Sequence, residues 1–102
     1  MNIQDLTDKS EEAAGLLALL ANPQRLKILC VLLDGERYVG ELARIVGLSQ
    51  SALSQHLARL REGGVVSVRR EAQTSYYSIA EKRAARILEV LDEVFCDPER
   101  AG

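Results

Sequence analysis

Apolar residues recur along the chain in short blocks whose period changes from helical to alternating and back, so the order of elements is readable before any chemistry. Residues 11–20, rich in Ala and Leu, are predicted as a first helix behind a ragged acidic start, with Ser10 as its N-cap. Asn22-Pro23 opens a second helix, because Asn caps well and Pro loses nothing at the first helical position. Leu26, Ile28, Leu29, Cys30, Val31, Leu32 and Leu33 leave it apolar nearly all round, as in a central buried helix, and Asp34-Gly35 ends it.

Two further helices follow at residues 39–46 and 49–62, separated only by Gly47-Leu48, with Ser49 capping the second. Short helices joined through a glycine corner form a helix-turn-helix candidate. Gly63-Gly64 stops the pair. Val65, Val66 and Val68, then Tyr76, Tyr77 and Ile79, flank a polar stretch and predict a two-stranded hairpin, or wing. Residues 81–95 return to helical spacing through Ala84, Ile87, Leu88, Leu91, Val94 and Phe95. The expected fold is mainly α with a small β-hairpin, in the order α-α-α-α-β-β-α: one winged helix-turn-helix domain over residues 1–102.

The helix at 49–62 carries the first candidate chemistry. At 100° per residue Leu53, Leu57 and Leu60 share one narrow face, and the outward face begins with Gln50, Ser51, Ser54 and Gln55 rather than Lys and Glu. Such side chains donate to and accept from base edges, and Gln pairs with the N6/N7 edge of adenine. The free N–H groups after Ser49 favour a nearby phosphate. Arg59 and Arg61 at the far end, and Arg69 and Arg70 in the hairpin, supply further cations for phosphate. His56 lies at the border of the two faces, where a lone histidine is read as a packed residue rather than a ligand.

A formal net charge of -2 argues against nucleic acid until it is divided along the chain. Residues 1–15 carry -3, 16–48 +1, 49–73 +2 and 74–102 -2, so the centre is basic between acidic ends. Attraction to phosphate follows local charge more than the total. With 102 residues, 47% hydrophobic and 27% charged, the composition suits one globular core. Neither a leader nor an apolar run of about 20 residues is found, so a cytoplasmic location without membrane contact is expected. A reducing compartment makes a permanent structural disulfide between Cys30 and Cys96 unexpected, leaving free thiols, core fillers, metal ligands or a switch.

The run 48–61 (LSQSALSQHLARLR), preceded by ANPQRLKIL at 21–29 and VGELA at 39–43, resembles the ArsR/SmtB family of bacterial repressors over nearly the whole chain. That resemblance implies a winged-helix homodimer reading an imperfect palindrome in double-stranded operator DNA. It makes the helix with Gln50, Ser51, Ser54 and Gln55 the recognition helix and about 65–79 the wing, so the candidate DNA surface comprises these four with Ser49, Arg59, Arg69, Arg70 and Gln73. A seam of Ala84, Ile87, Leu91, Val94 and Phe95, with Leu16, Leu17 and Leu20, is expected to meet a second copy. Metal-sensing members of the family carry a Cys-x-Cys before the recognition helix, or Asp and His sets in the last helix. Glu41-Leu-Ala-Arg-Ile45 has no cysteine and the last helix no histidine, so neither a metal nor any other cofactor is expected.

Cys30 shares a face with Leu26, Leu29 and Leu33 and reads as a small core residue, whereas Cys96 falls in line with Glu89, Asp92 and Glu93, where core packing does not explain it. One cysteine in the second helix and one closing the last, together with EAQT at 71–74 and Tyr76-Tyr77, resemble the HlyU, BigR and SqrR branch of the family. That branch implies a redox-sensing pair, Cys30 and Cys96, bridged directly or through extra sulfur by reactive sulfur species or oxidants, with loss of DNA binding. Asp92, Glu93 and Asp97, with the negative end of the helix, are expected to raise the pKa of Cys96, which leaves Cys30, with Lys27 one turn before it, as the candidate attacking thiolate. Two unconnected thiols, an anti-repressor role, and an interaction module that uses the same shape without DNA are the rival readings. An enzyme is not expected, because one histidine, no phosphate loop and no nucleophile beside a base leave nothing to build on.

Overall fold

A computed structural model describes residues 2–96. Five helices and three strands follow one another as α1 (Ile3–Leu20), α2 (Pro23–Leu33), β1 (Arg37–Tyr38), α3 (Val39–Val46), α4 (Gln50–Glu62), β2 (Val66–Glu71), β3 (Thr74–Ile79) and α5 (Lys82–Phe95). The expected domain of residues 1–102 includes residue 1 and residues 97–102, which lie outside the described ones.

Two boundaries correct the sequence reading. Helix α1 begins at Ile3, not at residue 11, and its cap is Asn2, whose side chain accepts from the Gln4 N–H. Ser10 sits inside the helix, its hydroxyl donating to the Thr7 carbonyl. Eight polar-rich residues thus continue the helix that the Ala/Leu block predicts, because Asn2 satisfies an end that Ser10 was expected to close. The turn of the hairpin is also shorter than expected. The ladder runs from Val66↔Ile79 to Glu71↔Thr74, leaving only Ala72 and Gln73 at the tip. Ala72 adopts a left-handed φ of 56°, an unusual conformation for a residue with a Cβ.

The remaining starts and stops follow local chemistry. Asn22 accepts from the N–H groups of both Gln24 and Arg25, with Pro23 beside it as the first helical residue. Gly47 takes φ 74° at the corner between α3 and α4, which a β-branched or bulky residue would resist. Ser49 caps α4 by accepting from the Ala52 N–H at 3.1 Å. α1 and α2 meet at 90°.

The sheet holds one strand more than expected. β1 pairs antiparallel with β3, giving the order β1-β3-β2, with Arg37 opposite Tyr77 and Tyr38 opposite Tyr76. Two residues carry too little alternation to announce a strand. Their effect is large, because Tyr38 is at once the end of β1 and the residue before α3, so the wing is tied to the helix-turn-helix.

One core joins the elements: Ile28, Leu29 and Leu32 of α2, Leu42 of α3, Leu53, Leu57 and Leu60 of α4, Val65 and Val66, and Leu88 of α5 are all buried. Leu20 and Ala84 belong to it as well, at 3% and 0% exposure. That corrects their expected place in a seam between copies, since the short Ala84 side chain lets α5 pack closely onto its own protomer.

Candidate nucleic-acid interface and cysteine pair

The buried stripe of Leu53, Leu57 and Leu60 fixes the roll of α4, so its opposite face is set without further contacts. Ser49, Gln50, Ser51, Ser54, Gln55 and Arg59 are all exposed, and so are Arg69, Arg70 and Gln73 in the wing. His56 is half-buried at the edge of the stripe, as its helical phase predicts. A cleft of about 440 Å³ separates α4 from the wing, lined by Ser54, Ala58, Arg61, Glu62 and Tyr77. Ser54 and Ala58 of α4 and Tyr77 of β3 therefore flank one groove.

The cations of this surface are not equivalent. Arg59, Arg61 and Arg70 make no ion pair among the described residues. Arg69 is paired through all three of its nitrogens: its Nε and Nη2 donate to the two carboxylate oxygens of Glu36 at 3.1 and 2.8 Å, and its Nη1 donates to Glu71 at 2.6 Å. These bonds push the Arg69 pKa above its ordinary value and hold the Glu36 carboxyl below its own. No local pattern signals this partner, because Glu36 lies 33 residues away and β1 is what brings it near.

The two cysteines, 66 positions apart in the sequence, line one apolar cavity of about 210 Å³ with Leu26, Leu91, Asp92 and Phe95. Cys30 is half-buried on α2 and Cys96 is exposed at the C-cap of α5; both are free thiols. Burial is the main cause that pushes the Cys30 thiol up, followed by the proximity of Cys96 and Asp92. This corrects the expectation that Lys27 makes Cys30 the readier thiolate. Lys27 is exposed, whereas Cys30 faces an adjoining cleft lined by Asp34, Glu89, Asp92 and Glu93. Among the described residues, no group of three or more His, Cys, Asp or Glu is placed to hold a metal ion.

An apolar surface remains on α1 and α5. Leu17, Val94 and Phe95 are 50%, 57% and 77% exposed, and a groove of about 400 Å³ runs between the helices, lined by Leu16, Leu17, Arg83 and Ile87 among others. Arg83 bridges it, donating to Glu81, the N-cap of α5, and to Glu12 on α1. No single helix is long and apolar enough to cross a membrane among the described residues.

Comparison with known proteins gives this geometry its context. The family described as bacterial regulatory protein, arsR family, matches residues 22–68, from the Asn22 cap into β2. The transcriptional activator HlyU of Vibrio cholerae is 48% identical over 96 residues, covering 94% of this chain and 89% of that one. Its reduced form has a solved structure that superposes with a TM-score of 0.87 at 47% identity, over 92% of this chain and 99% of that one. The transcriptional repressor BigR of Xylella fastidiosa superposes with a TM-score of 0.90 at 39% identity, over 95% and 99% of the two chains. A homodimeric winged helix-turn-helix DNA-binding domain from Mycobacterium bovis does so with a TM-score of 0.76 at 35% identity, over 86% and 82%. With its winged helix-turn-helix fold and relatives of this similarity over nearly their full length, the chain belongs to the ArsR family of bacterial transcriptional regulators.

Proposed function

We propose that the protein is a homodimeric repressor that binds a palindromic operator through α4 and the wing, and leaves it when reactive sulfur or an oxidant links Cys30 to Cys96. The observation that carries the thiol switch is the shared cavity, which puts both side chains on one small apolar surface between α2 and the end of α5. For DNA binding, the support is the exposed, uncharged start of α4. Gln50, Ser51, Ser54 and Gln55 read base edges, the N–H groups after Ser49 meet phosphate, and Arg59, Arg70 and Gln73 hold the backbone to either side.

A second copy is needed for this reading. The exposed Leu17, Val94 and Phe95, with the groove between α1 and α5, form the face that takes it, and the relative from Mycobacterium bovis is homodimeric. A twofold arrangement sets the two α4 helices about 34 to 36 Å apart, one turn of B-DNA. Covering that face also links the two sites, because Phe95 borders both the cysteine cavity and the exposed apolar patch. A bridge between α2 and α5 pulls on the helix that carries the dimer contacts, and so on the spacing of the α4 pair.

The chemistry balances with a persulfide as oxidant. The exposed Cys96 thiolate attacks the outer sulfur of RSSH, giving a Cys96 persulfide and RSH once the leaving thiolate takes a proton. Cys30 then attacks the inner sulfur, the new S–S bond forms, and hydrogen sulfide leaves. Two protein thiols and one RSSH thus yield one disulfide, one RSH and one hydrogen sulfide. Intact mass and gel shift test the proposal together. After treatment with a persulfide donor, a cross-linked mass and weakened operator binding are expected, and a double Cys→Ser variant shows neither. Unchanged mass and unchanged binding in the wild-type protein would sink the switch.

The relatives include both an activator and a repressor, so the direction of control is a separate question. We take the repressor reading, because a dimer seated on promoter DNA blocks access to it without any further surface. A reporter fused to the flanking promoter would rise on deletion of the gene if this is right and fall if the protein activates.

A further inference from the structure

Arg69 lies on the wing beside Arg70, and its charge alone suggests a phosphate contact, yet each of its three guanidinium nitrogens already holds a carboxylate oxygen. Two of its nitrogens grip Glu36 bidentately, the third reaches Glu71, and the plane sits 4.6 Å from the centre of the Tyr76 ring. Tyr76 in turn meets Tyr38 edge-on, with ring centres 6.2 Å apart and an angle of 72°. The strand register explains the alignment: Arg69 is opposite Tyr76 on β2 and β3, and Tyr38 is opposite Tyr76 on β1 and β3. One row across the sheet thus runs from the wing to the residue that precedes α3, and Glu36 fastens its end from the segment just before β1.

We propose that Arg69 is a positioning residue that braces the wing against the helix-turn-helix, and not a phosphate contact. Electrostatics point the same way. One guanidinium between two carboxylates leaves a local charge of -1, which repels a phosphate, whereas Arg70 next to it makes no ion pair among the described residues. Exposed ion pairs taken singly do little. A bidentate grip on a half-exposed glutamate, closed by a second carboxylate and an aromatic face, restricts orientation far more. The wing needs that restriction, because β2 and β3 form a two-stranded ribbon beyond the short β1, and such ribbons hold their angle poorly alone.

The inference rests on the DNA-binding reading, and binding as a function of salt separates the two possible roles. Duplex from the DNA flanking the gene is titrated by fluorescence anisotropy across a range of salt. Arg69→Ala and Glu36→Gln are each expected to weaken binding on the order of tenfold while the slope of log K against log salt stays at the wild-type value. Their combination should do no more harm than either alone, and the reversed pair, Arg69→Glu with Glu36→Arg, should recover most of the loss. Arg70→Ala, by contrast, should flatten the slope by about two for a dimer, one released counterion per protomer. If Arg69→Ala flattens the slope as Arg70→Ala does, or if Glu36→Gln tightens binding by freeing the guanidinium, the brace is wrong.

A measurement without DNA keeps the two claims apart. Hydrogen exchange at the amides of residues 68–77 should speed up in Glu36→Gln in the absence of any duplex. If it does so while the wild-type protein binds no duplex, the brace stands and the regulator reading falls. Unchanged exchange in Glu36→Gln would overturn the brace whatever the DNA does.

Discussion

Two thiols in unlike settings face one cavity, and the difference between them sets the order of attack in the proposed bridge. Cys30 is half-buried, and burial raises its pKa above that of an unburied thiol; Cys96 stands at the exposed end of α5, where a reagent reaches it first. Alkylation of a Cys96→Ser variant should therefore be slow at pH 7 and keep accelerating with pH after an unburied cysteine has levelled off. A Cys30 rate that levels off early would remove the asymmetry. On α4 the corresponding prediction concerns sequence preference: Gln50→Ala or Gln55→Ala should cost about 1–3 kcal/mol on the preferred operator and much less on unrelated duplex, measured by competition. The helical phase of residues 49–62 already placed Gln50, Ser51, Ser54 and Gln55 outward, because three leucines leave only one roll of the helix open. The state of Arg69 could not be read that way, since its partner comes from another element.

Helix ends and corners show how far local sequence reaches. Asn22, Pro23, Gly47 and Ser49 act within three residues of themselves, so their roles were legible, and the structure places each as expected. Asn22→Ala should lower stability by about 1 kcal/mol, seen as a lower midpoint in thermal or urea unfolding, because two N–H groups at the start of α2 lose their acceptor. No loss on Asn22→Ala would mean that water serves the α2 terminus equally well. Within the core, Leu57→Ala should cost about 2–5 kcal/mol in the same assay, as the residue is 1% exposed and joins α4 to the other helices. What sequence reading missed depends on distant partners. β1 has two residues and exists because β3 offers an edge, and the first turns of α1 carry too few apolar residues to show a period.

For the molecule as a whole, the distribution of exposed apolar residues is the main argument. Leu17 on α1 and Val90, Val94 and Phe95 on α5 are exposed, so an apolar surface is left for the proposed second copy once Leu20 and Ala84 are returned to the core. Light scattering after size exclusion should give the mass of two chains, and Leu17→Glu with Val94→Glu should give that of one. A wild-type protein with the mass of one chain at micromolar concentration would contradict the dimer. The proposed switch joins that dimer, the face of α4 and the cysteine cavity, and a DNase footprint on the DNA flanking the gene tests all three at once. The reduced protein should protect two half-sites centred about one helical turn apart, and protection should vanish after treatment with a persulfide donor. Absence of any protected site, or protection that survives a confirmed Cys30–Cys96 bridge, would contradict the account.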